Sequence, residues 1–289
     1  MSARSFRYST VLVLFVSLAL PACKGSSGGS SGDSSQQTQA GSGEEGESLA
    51  CNSLDFDGED DYLALGEGDQ LLGTTDSFTV ATWVYRHSDD PGPAGAQVIL
   101  DAESSSSDNL GLNAGFRLVL RDGAPEVFYG VDSTTEDFSQ FTATDTEIPT
   151  DTWTHVAASR ESSTVRVFVN GAVVLEVLDA PGGPISYNGR DYETDVYQVG
   201  RYVTGAHVAP EHFYRGGLQN LAVWNRALTS AEIETERTMP GAVTDGRVAW
   251  WSLTEGEGTV SANADDPMVD ADLMPVESPP TWVADCPAP

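Results

Sequence analysis

From residue 51 onward, hydrophobic positions recur at every second residue over short stretches, and Gly, Asp, Asn, Ser and Pro separate the stretches. The run Phe78-Thr-Val-Ala-Thr-Trp-Val-Tyr85 is rich in β-branched and aromatic residues and is bounded by Asp76-Ser77 and Ser88-Asp-Asp-Pro91. That pattern predicts a strand. Gly115–Arg121 and Glu126–Gly130 flank Asp122-Gly123, while Thr164–Val169 and Ala172–Val177 flank Asn170-Gly171. Both pairs predict two-residue hairpins, whose turn residues must adopt positive φ. Further strands are predicted over Trp153–Ser159, Val196–Tyr202, Leu218–Trp224 and Val248–Leu253. About a dozen short strands without strand–helix–strand alternation predict antiparallel sheets and an all-β fold.

One helix interrupts the pattern. Thr229-Ser-Ala-Glu232 reads as a capping box, and Leu228 before it is placed to staple onto Ile233. Pro240-Gly241 predicts an end near Thr238. Long stretches over Ala102–Ala114, Val131–Thr152, Ala180–Asp195 and Thr204–Arg215 read as loops, where a rigid sandwich would carry binding groups.

The segment before residue 51 has a different character. Arg4 and Arg7 precede an apolar run, Val11–Leu20, followed by Leu20-Pro21-Ala22-Cys23. This order predicts an export leader over residues 1–22. A run of ten residues is too short to span a bilayer, which takes roughly 20. Leu-Pro-Ala-Cys resembles a bacterial lipobox, which implies cleavage before Cys23 and lipidation of its thiol. Residues 24–50 hold 8 Ser and 7 Gly among 27, so residues 23–50 are expected to form a flexible tether. Residues 51–289 are then the folded domain. With Cys23 lipidated, Cys51 and Cys286 are the remaining thiols in an oxidising compartment, and they are expected to pair.

The chain carries 14 basic and 44 acidic residues, and loss of Arg4 and Arg7 takes the formal charge from −30 to −32. Such a surface repels nucleic acid and anionic lipid heads. The lipid bilayer is therefore expected as a partner only through the Cys23 anchor, at the outer membrane or cell surface.

Several motifs, taken in order, resemble the laminin-G/pentraxin-like jelly rolls of the concanavalin A-like superfamily. Leu54-Asp-Phe-Asp-Gly-Glu-Asp-Asp-Tyr-Leu63 is similar to the opening strand pair, and Phe78–Val84 to the next central strand. Thr152-Trp-Thr-His-Val-Ala157 with Val165-Arg-Val-Phe-Val-Asn-Gly171 resembles the mid-domain hairpin. Gly217-Leu-Gln-Asn-Leu-Ala-Val-Trp-Asn-Arg-Ala-Leu-Thr-Ser-Ala-Glu-Ile233 is the most specific match. Val248-Ala-Trp-Trp-Ser-Leu-Thr-Glu-Gly-Glu-Gly258 resembles a closing segment. The resemblance implies an antiparallel β-sandwich of two curved sheets whose first and last strands are neighbours, which agrees with a Cys51–Cys286 bridge.

The resemblance also supplies candidate sites. Pentraxins hold calcium partly through an Asp-Asn pair, matched here by Asp108-Asn109, although the second acidic cluster falls on Arg201-Tyr202-Val203. Other members carry a structural calcium near the opening motif, which would employ Asp57, Asp60 and Asp61, with Asp265 and Asp266 in the closing segment. The same aspartates also suit ordinary turns. Glycosidases of the superfamily present Glu-x-Asp-x-x-Glu on a strand; Glu193-Thr-Asp-Val-Tyr-Gln198 departs from it by ending in Gln, which shuttles no proton. His155 reads as a packed core residue. Tyr187, Tyr192, Tyr202 and Tyr214 lie in or beside loops and are candidate sugar contacts, whereas Trp83, Trp153, Trp224, Trp250 and Trp251 sit in strands, four of the five expected in the core. These features point to a non-catalytic binding or adhesion lipoprotein with a glycan or extracellular protein as ligand. The alternatives are a glycoside hydrolase of the same superfamily or a scaffold with no small ligand.

Overall fold

In the computed structural model, which describes residues 51–67, 72, 75–88, 95–105, 113–131, 139–185, 196–201, 212–265, 271–273 and 279–287, the alternating segments pair into two eight-stranded sheets. The strands begin with β1 (Ser53–Asp57), β2 (Leu63–Glu67), β3 (Ser77–Arg86), β4 (Ala96–Ser105), β5 (Asn113–Arg121) and β6 (Ala124–Gly130). There follow β7 (Ser139–Thr142), β8 (Trp153–Glu161), β9 (Thr164–Val169), β10 (Ala172–Val177), β11 (Val196–Val199) and β12 (Arg215–Trp224). Helix α1 (Ser230–Thr238) precedes β13 (Arg247–Trp251), β14 (Val260–Ser261), β15 (Ala271–Leu273) and β16 (Thr281–Val283). Sheet I runs β10-β9-β8-β3-β12-β1-β16, with β13 also on β12, and sheet II runs β14-β15-β2-β11-β4-β5-β6-β7.

β1 decides how the ends meet. Leu54 pairs with Leu218 of β12 on one side and with Trp282 of β16 on the other. Its alternation sends Leu54 and Phe56, both fully buried, into the space between the sheets and leaves Asp55 and Asp57 on the outside. Cys51 and Cys286, just beyond these paired segments, form the expected disulfide across 235 residues, with Cα atoms 5.7 Å apart.

The two hairpin turns form as read. Asp122 and Gly123 have φ of 51° and 84°, and Asn170 and Gly171 have 49° and 79°, the left-handed geometry such turns require. The expected loops are shorter than the sequence indicated. β4 continues to Ser105, β5 starts at Asn113, and β7 occupies part of Val131–Thr152. β4 itself escaped the pattern because a bulge between Val98 and Leu100 shifts its alternation midway.

Between the sheets lie Leu54, Phe56, Phe78, Val80, Val84, Phe116, Leu118, Tyr129, Leu218, Val223 and Trp251. Phe78 sits at their centre, 5.1 Å from the Phe116 ring and edge-on to Tyr129 at 6.4 Å. One arginine joins this core. Arg160 is fully buried, stacks over Tyr129 at 4.3 Å, and donates to the carbonyls of Pro181 and Gly183 at 3.2 and 2.6 Å. The Tyr129 hydroxyl donates to the Pro181 carbonyl as well, so the two side chains moor the strand-free segment after β10.

α1 is the expected helix with its expected cap. The Thr229 hydroxyl accepts from the Glu232 N–H at 3.3 Å, and the Glu232 carboxylate accepts from the Thr229 N–H at 2.8 Å. Arg226 grips the same carboxylate and, with the cap, holds it down to about 2. Ile233 and Leu228 then pack with Ala81, Ala157, Phe168, Ala222, Trp224 and Val243 on the outer face of sheet I. Buried Glu236 closes the far end by accepting from the N–H groups of Gly241 and Val243.

Reducing the disulfide tests the closure. The chain-entropy model gives a stabilisation of up to about 5 kcal/mol for so long a loop. The paired C51S/C286S protein is expected to unfold at markedly lower urea concentration than the oxidised protein, whereas a coincident midpoint would show that β1–β16 pairing alone holds the ends.

Candidate functional site

The outstanding polar cluster lies where β1 ends. After Asp57 the chain turns sharply and enters β2. The Asp57 carboxylate accepts from the N–H groups of Glu59 and Asp60 at 2.7 and 3.3 Å, an Asx-type turn that the sequence already favours. Asp61 reaches back to accept from the Asp57 N–H at 2.7 Å. As a result one carboxylate oxygen from each of Asp57, Asp60 and Asp61 falls within 4.8 Å of the others, and among the described residues no other group of His, Cys, Asp and Glu converges this way.

The three aspartates are not equivalent. Asp57 is exposed, Asp60 half-buried, and Asp61 only 3% exposed. The second oxygen of Asp61, Oδ1, is buried with no hydrogen-bond partner. Burial pushes the Asp61 carboxyl up to about 6; the Asp57 N–H opposes the rise, and the charges of Asp57, Asp60 and Asp55 add to it. A buried carboxylate oxygen lacking a donor, beside the negative charges of Asp57, Asp60 and Asp55, is an environment that a hard cation would satisfy. Calcium takes six to eight oxygens, and three carboxylates supply part of that set. The residues present therefore fit the ion.

The other members of the expected set separate. Asp265 does not join the cluster: its carboxylate is gripped by Arg247 through two hydrogen bonds of 2.6 and 3.1 Å. This corrects the reading of Asp265 as a cation ligand, since a guanidinium already occupies both oxygens. Asp266, Asp108 and Asn109 lie outside the described residues, as do Cys23, Glu193, Tyr187, Tyr192 and Tyr202.

Tyr214 is also corrected. It is fully buried, edge-on to Phe56 at 5.9 Å, and its hydroxyl donates within reach of the Tyr85 and Gly217 carbonyls at 3.0 and 3.1 Å. It locks β12 to β3 and presents no face to a ligand. Sequence could not separate it from Phe213, its half-buried neighbour, because both follow a Gly- and Pro-containing stretch. Of the five strand tryptophans, Trp83, Trp224 and Trp251 are buried, while Trp153 and Trp250 are half-exposed. His155 is buried as read, edge-on to Trp83, and its burial drives the imidazole down to about 3.

The outer face of sheet II carries a transverse polar row. Gln198, Asp101, Arg117, Phe128 and Gln140 stand side by side across β11, β4, β5, β6 and β7. Arg117 lies 3.4 Å from Asp101 and stacks over Phe128 at 4.7 Å. One step along, Glu126 is held by both arms of Arg121 and by Gln140 and Thr142. Burial would raise the Glu126 carboxyl, yet these donors prevail and hold it below its usual range. Gln198, the last residue of the glycosidase-like motif, has its Oε1 taken by Arg201 at 2.6 Å.

A family model of the concanavalin A-like lectin/glucanases superfamily matches residues 57–234, from the first aspartate of the cluster into α1. The chain belongs to that superfamily. A candidate carbohydrate-binding protein of Bacteroides ovatus shares the fold with a TM-score of 0.56 at 16% identity, over 77% of this chain and 58% of that one. A heptameric SAP-like pentraxin of Limulus polyphemus aligns with a TM-score of 0.48 at 17% identity, over 75% of this chain and 93% of the other. Mouse pappalysin-1 is 24% identical over 209 residues, which is 71% of this chain but 12% of that much longer protein.

The protonation of Asp61 has a measurable sign. Its native carboxyl holds a proton more tightly than the unfolded one, so in the cation-free protein the contribution of this group to stability is full below about pH 4. As pH rises from about 4 to about 6, up to about 3 kcal/mol is lost. Urea unfolding in chelator from pH 4 to pH 7 checks this, and D61N should flatten the decline.

Proposed function

We propose that this chain is a non-catalytic, envelope-anchored binding lipoprotein whose ligand is a glycan and whose β1–β2 turn holds a structural calcium. The observation that carries the non-catalytic part is the state of two described acids on the outer face of sheet II. Glu126 and Asp101 are each engaged by an arginine, and the motif position that would need a proton-shuttling acid is Gln198. A carboxylate held below its ordinary range makes a poor general acid, which must carry a proton near neutral pH. Fold membership and the likeness to a candidate carbohydrate-binding protein favour a glycan as the ligand.

Calcium in this reading is structural. Asp57, Asp60 and Asp61 would hold it, and its charge would replace the missing donor at Asp61 Oδ1. The ion would then pin the turn between the two sheets. The anchor rests on the leader and on the Leu-Pro-Ala-Cys23 sequence.

Three measurements test these parts. Saturating calcium at pH 7 is expected to raise the melting temperature by several degrees relative to chelator, and the shift should vanish in D57N/D61N; an unchanged melting temperature in the native protein removes the ion. Glycan-array binding without release of reducing sugar from the same polysaccharides is the expected outcome for the ligand. Measurable hydrolysis would reinstate the glycosidase. Cys23→Ser is expected to move the protein from the membrane pellet to the soluble fraction, and continued sedimentation would end the anchor assignment.

A further inference from the structure

The outer face of sheet I is divided in two. α1 and the segment behind it cover the half built from Ala81, Ala157, Phe168, Ala222 and Trp224. Trp83 and His155, one pair further along, are still buried. The next row is not. Strand register sets Asp55 beside Gly217, Gly217 beside Tyr85 and Tyr85 beside Trp153, across β1, β12, β3 and β8. Asp55, Tyr85 and Trp153 are each half-exposed.

Gly217 explains how the row is shaped. A Cβ at that position would stand 2.8 Å from Cη2 of Trp153 and 3.4 Å from Cβ of Tyr85. The indole therefore reaches across β3 and rests where a β12 side chain would otherwise project. Tyr85 lies 5.5 Å from the indole at 55°, and His87 continues the strip 5.5 Å beyond Tyr85 at 73°. His87 Nε2 is 2.8 Å from Asp55 Oδ1, which orients the carboxylate at the edge of the rings. The indole N–H is buried without an acceptor, a cost that phenylalanine would avoid; what tryptophan contributes here is the area of its ring.

We propose that Trp153, Tyr85, Gly217, Asp55 and His87 form a stacking platform for a neutral saccharide, on the helix-bearing sheet. The site rests on the glycan reading above and gives it a location and a ligand class. The C–H face of a pyranose carries slight positive character and packs on the negative face of an aromatic ring. Vicinal hydroxyls lying over the rings would donate to the Asp55 carboxylate, an acceptor-only group. Neutrality follows from the charges nearby. Burial and then the carboxylates of Asp151, Asp285 and Asp55 hold the Tyr85 phenol above its usual range, and the same field opposes a uronate or sulfated sugar.

Affinity electrophoresis of the whole protein tests the platform, in gels containing glucomannan, xylan, arabinan or a β-1,3-glucan, with polygalacturonate as the anionic comparison. At least one neutral polysaccharide should retard the native protein, and polygalacturonate should not. W153A and Y85A are each expected to weaken retardation by about tenfold, the size of a lost aromatic contact. G217A leaves both rings in the chain and displaces the indole, so it should weaken retardation even if W153A folds poorly. W153F keeps a ring but lacks the benzo edge that rests on Gly217, so it should recover only part of it. Retention of native affinity in both Y85A and G217A would overturn the platform while leaving glycan binding elsewhere intact. Failure of the native protein to bind any neutral polysaccharide would overturn both.

Discussion

Insertion of β1 between β12 and β16 is the constraint on which the rest of this structure depends. A strand hydrogen-bonded on both sides cannot slip by one residue without turning Leu54 and Phe56 out of the core and Asp55 into it. That register fixes the point at which Asp57 leaves the sheet, and so the geometry of the acidic turn. It also fixes which residue stands beside Gly217 on the outer face. The disulfide does not create this arrangement. It limits the unfolded chain and thereby protects a pairing between segments at opposite ends of the sequence, whose closure is entropically the most expensive in the fold.

The acidic composition gives arginine an unusual share of the structural work. Arg121 clamps Glu126, Arg226 clamps Glu232 with Asp245 nearby, Arg247 clamps Asp265, and Arg160 moors the segment after β10 from inside the core. These are planar, bidentate or stacked contacts, which lysine would reproduce poorly. The only lysine of the chain, Lys24, lies outside the described residues. Asp61 contrasts with the clamped acids. It is buried, the neighbouring charges that raise its carboxyl are all negative, and one of its oxygens lacks a donor. Among the buried acids of the described residues, Asp101 and Glu126 meet arginines and Glu236 meets two backbone N–H groups, so the unmatched Oδ1 of Asp61 is what singles the turn out.

Local chemistry was legible in the sequence and tertiary covering was not. Asp122-Gly123, Asn170-Gly171 and the Thr229–Glu232 cap are short-range signals whose physics is complete within a few residues, and all three form as read. The Cys51–Cys286 bridge could be inferred because few thiols were left to choose from. β4 was hidden by its bulge, and β14, β15 and β16 are two or three residues long, too short for alternation to register. Site residues fared worse for a specific reason. A period of two says that Trp153 and His155 face the same way, but it cannot say that His155 is buried while Trp153 stays half-exposed. Tyr214 fails in the opposite direction: it looks like a loop aromatic and is a buried tie between strands.

Asp55 and Asp57 are two residues apart on one strand and therefore project to the same side of sheet I. Asp55 belongs to the Tyr85–Trp153 row and is also among the charges that raise the Asp61 carboxyl. The acidic turn and the aromatic row thus share an electrostatic field through a strand that is rigid on both edges. Positive charge in the turn would lessen the negative potential at Asp55, and protonation of Asp61 below about pH 6 would act in the same direction with a smaller charge. Because β1 is held by β12 and β16, such a change would reach the row through the field and not through movement of the backbone. Structure and surface chemistry in this domain are coupled at β1, the strand that the two chain ends combine to fix.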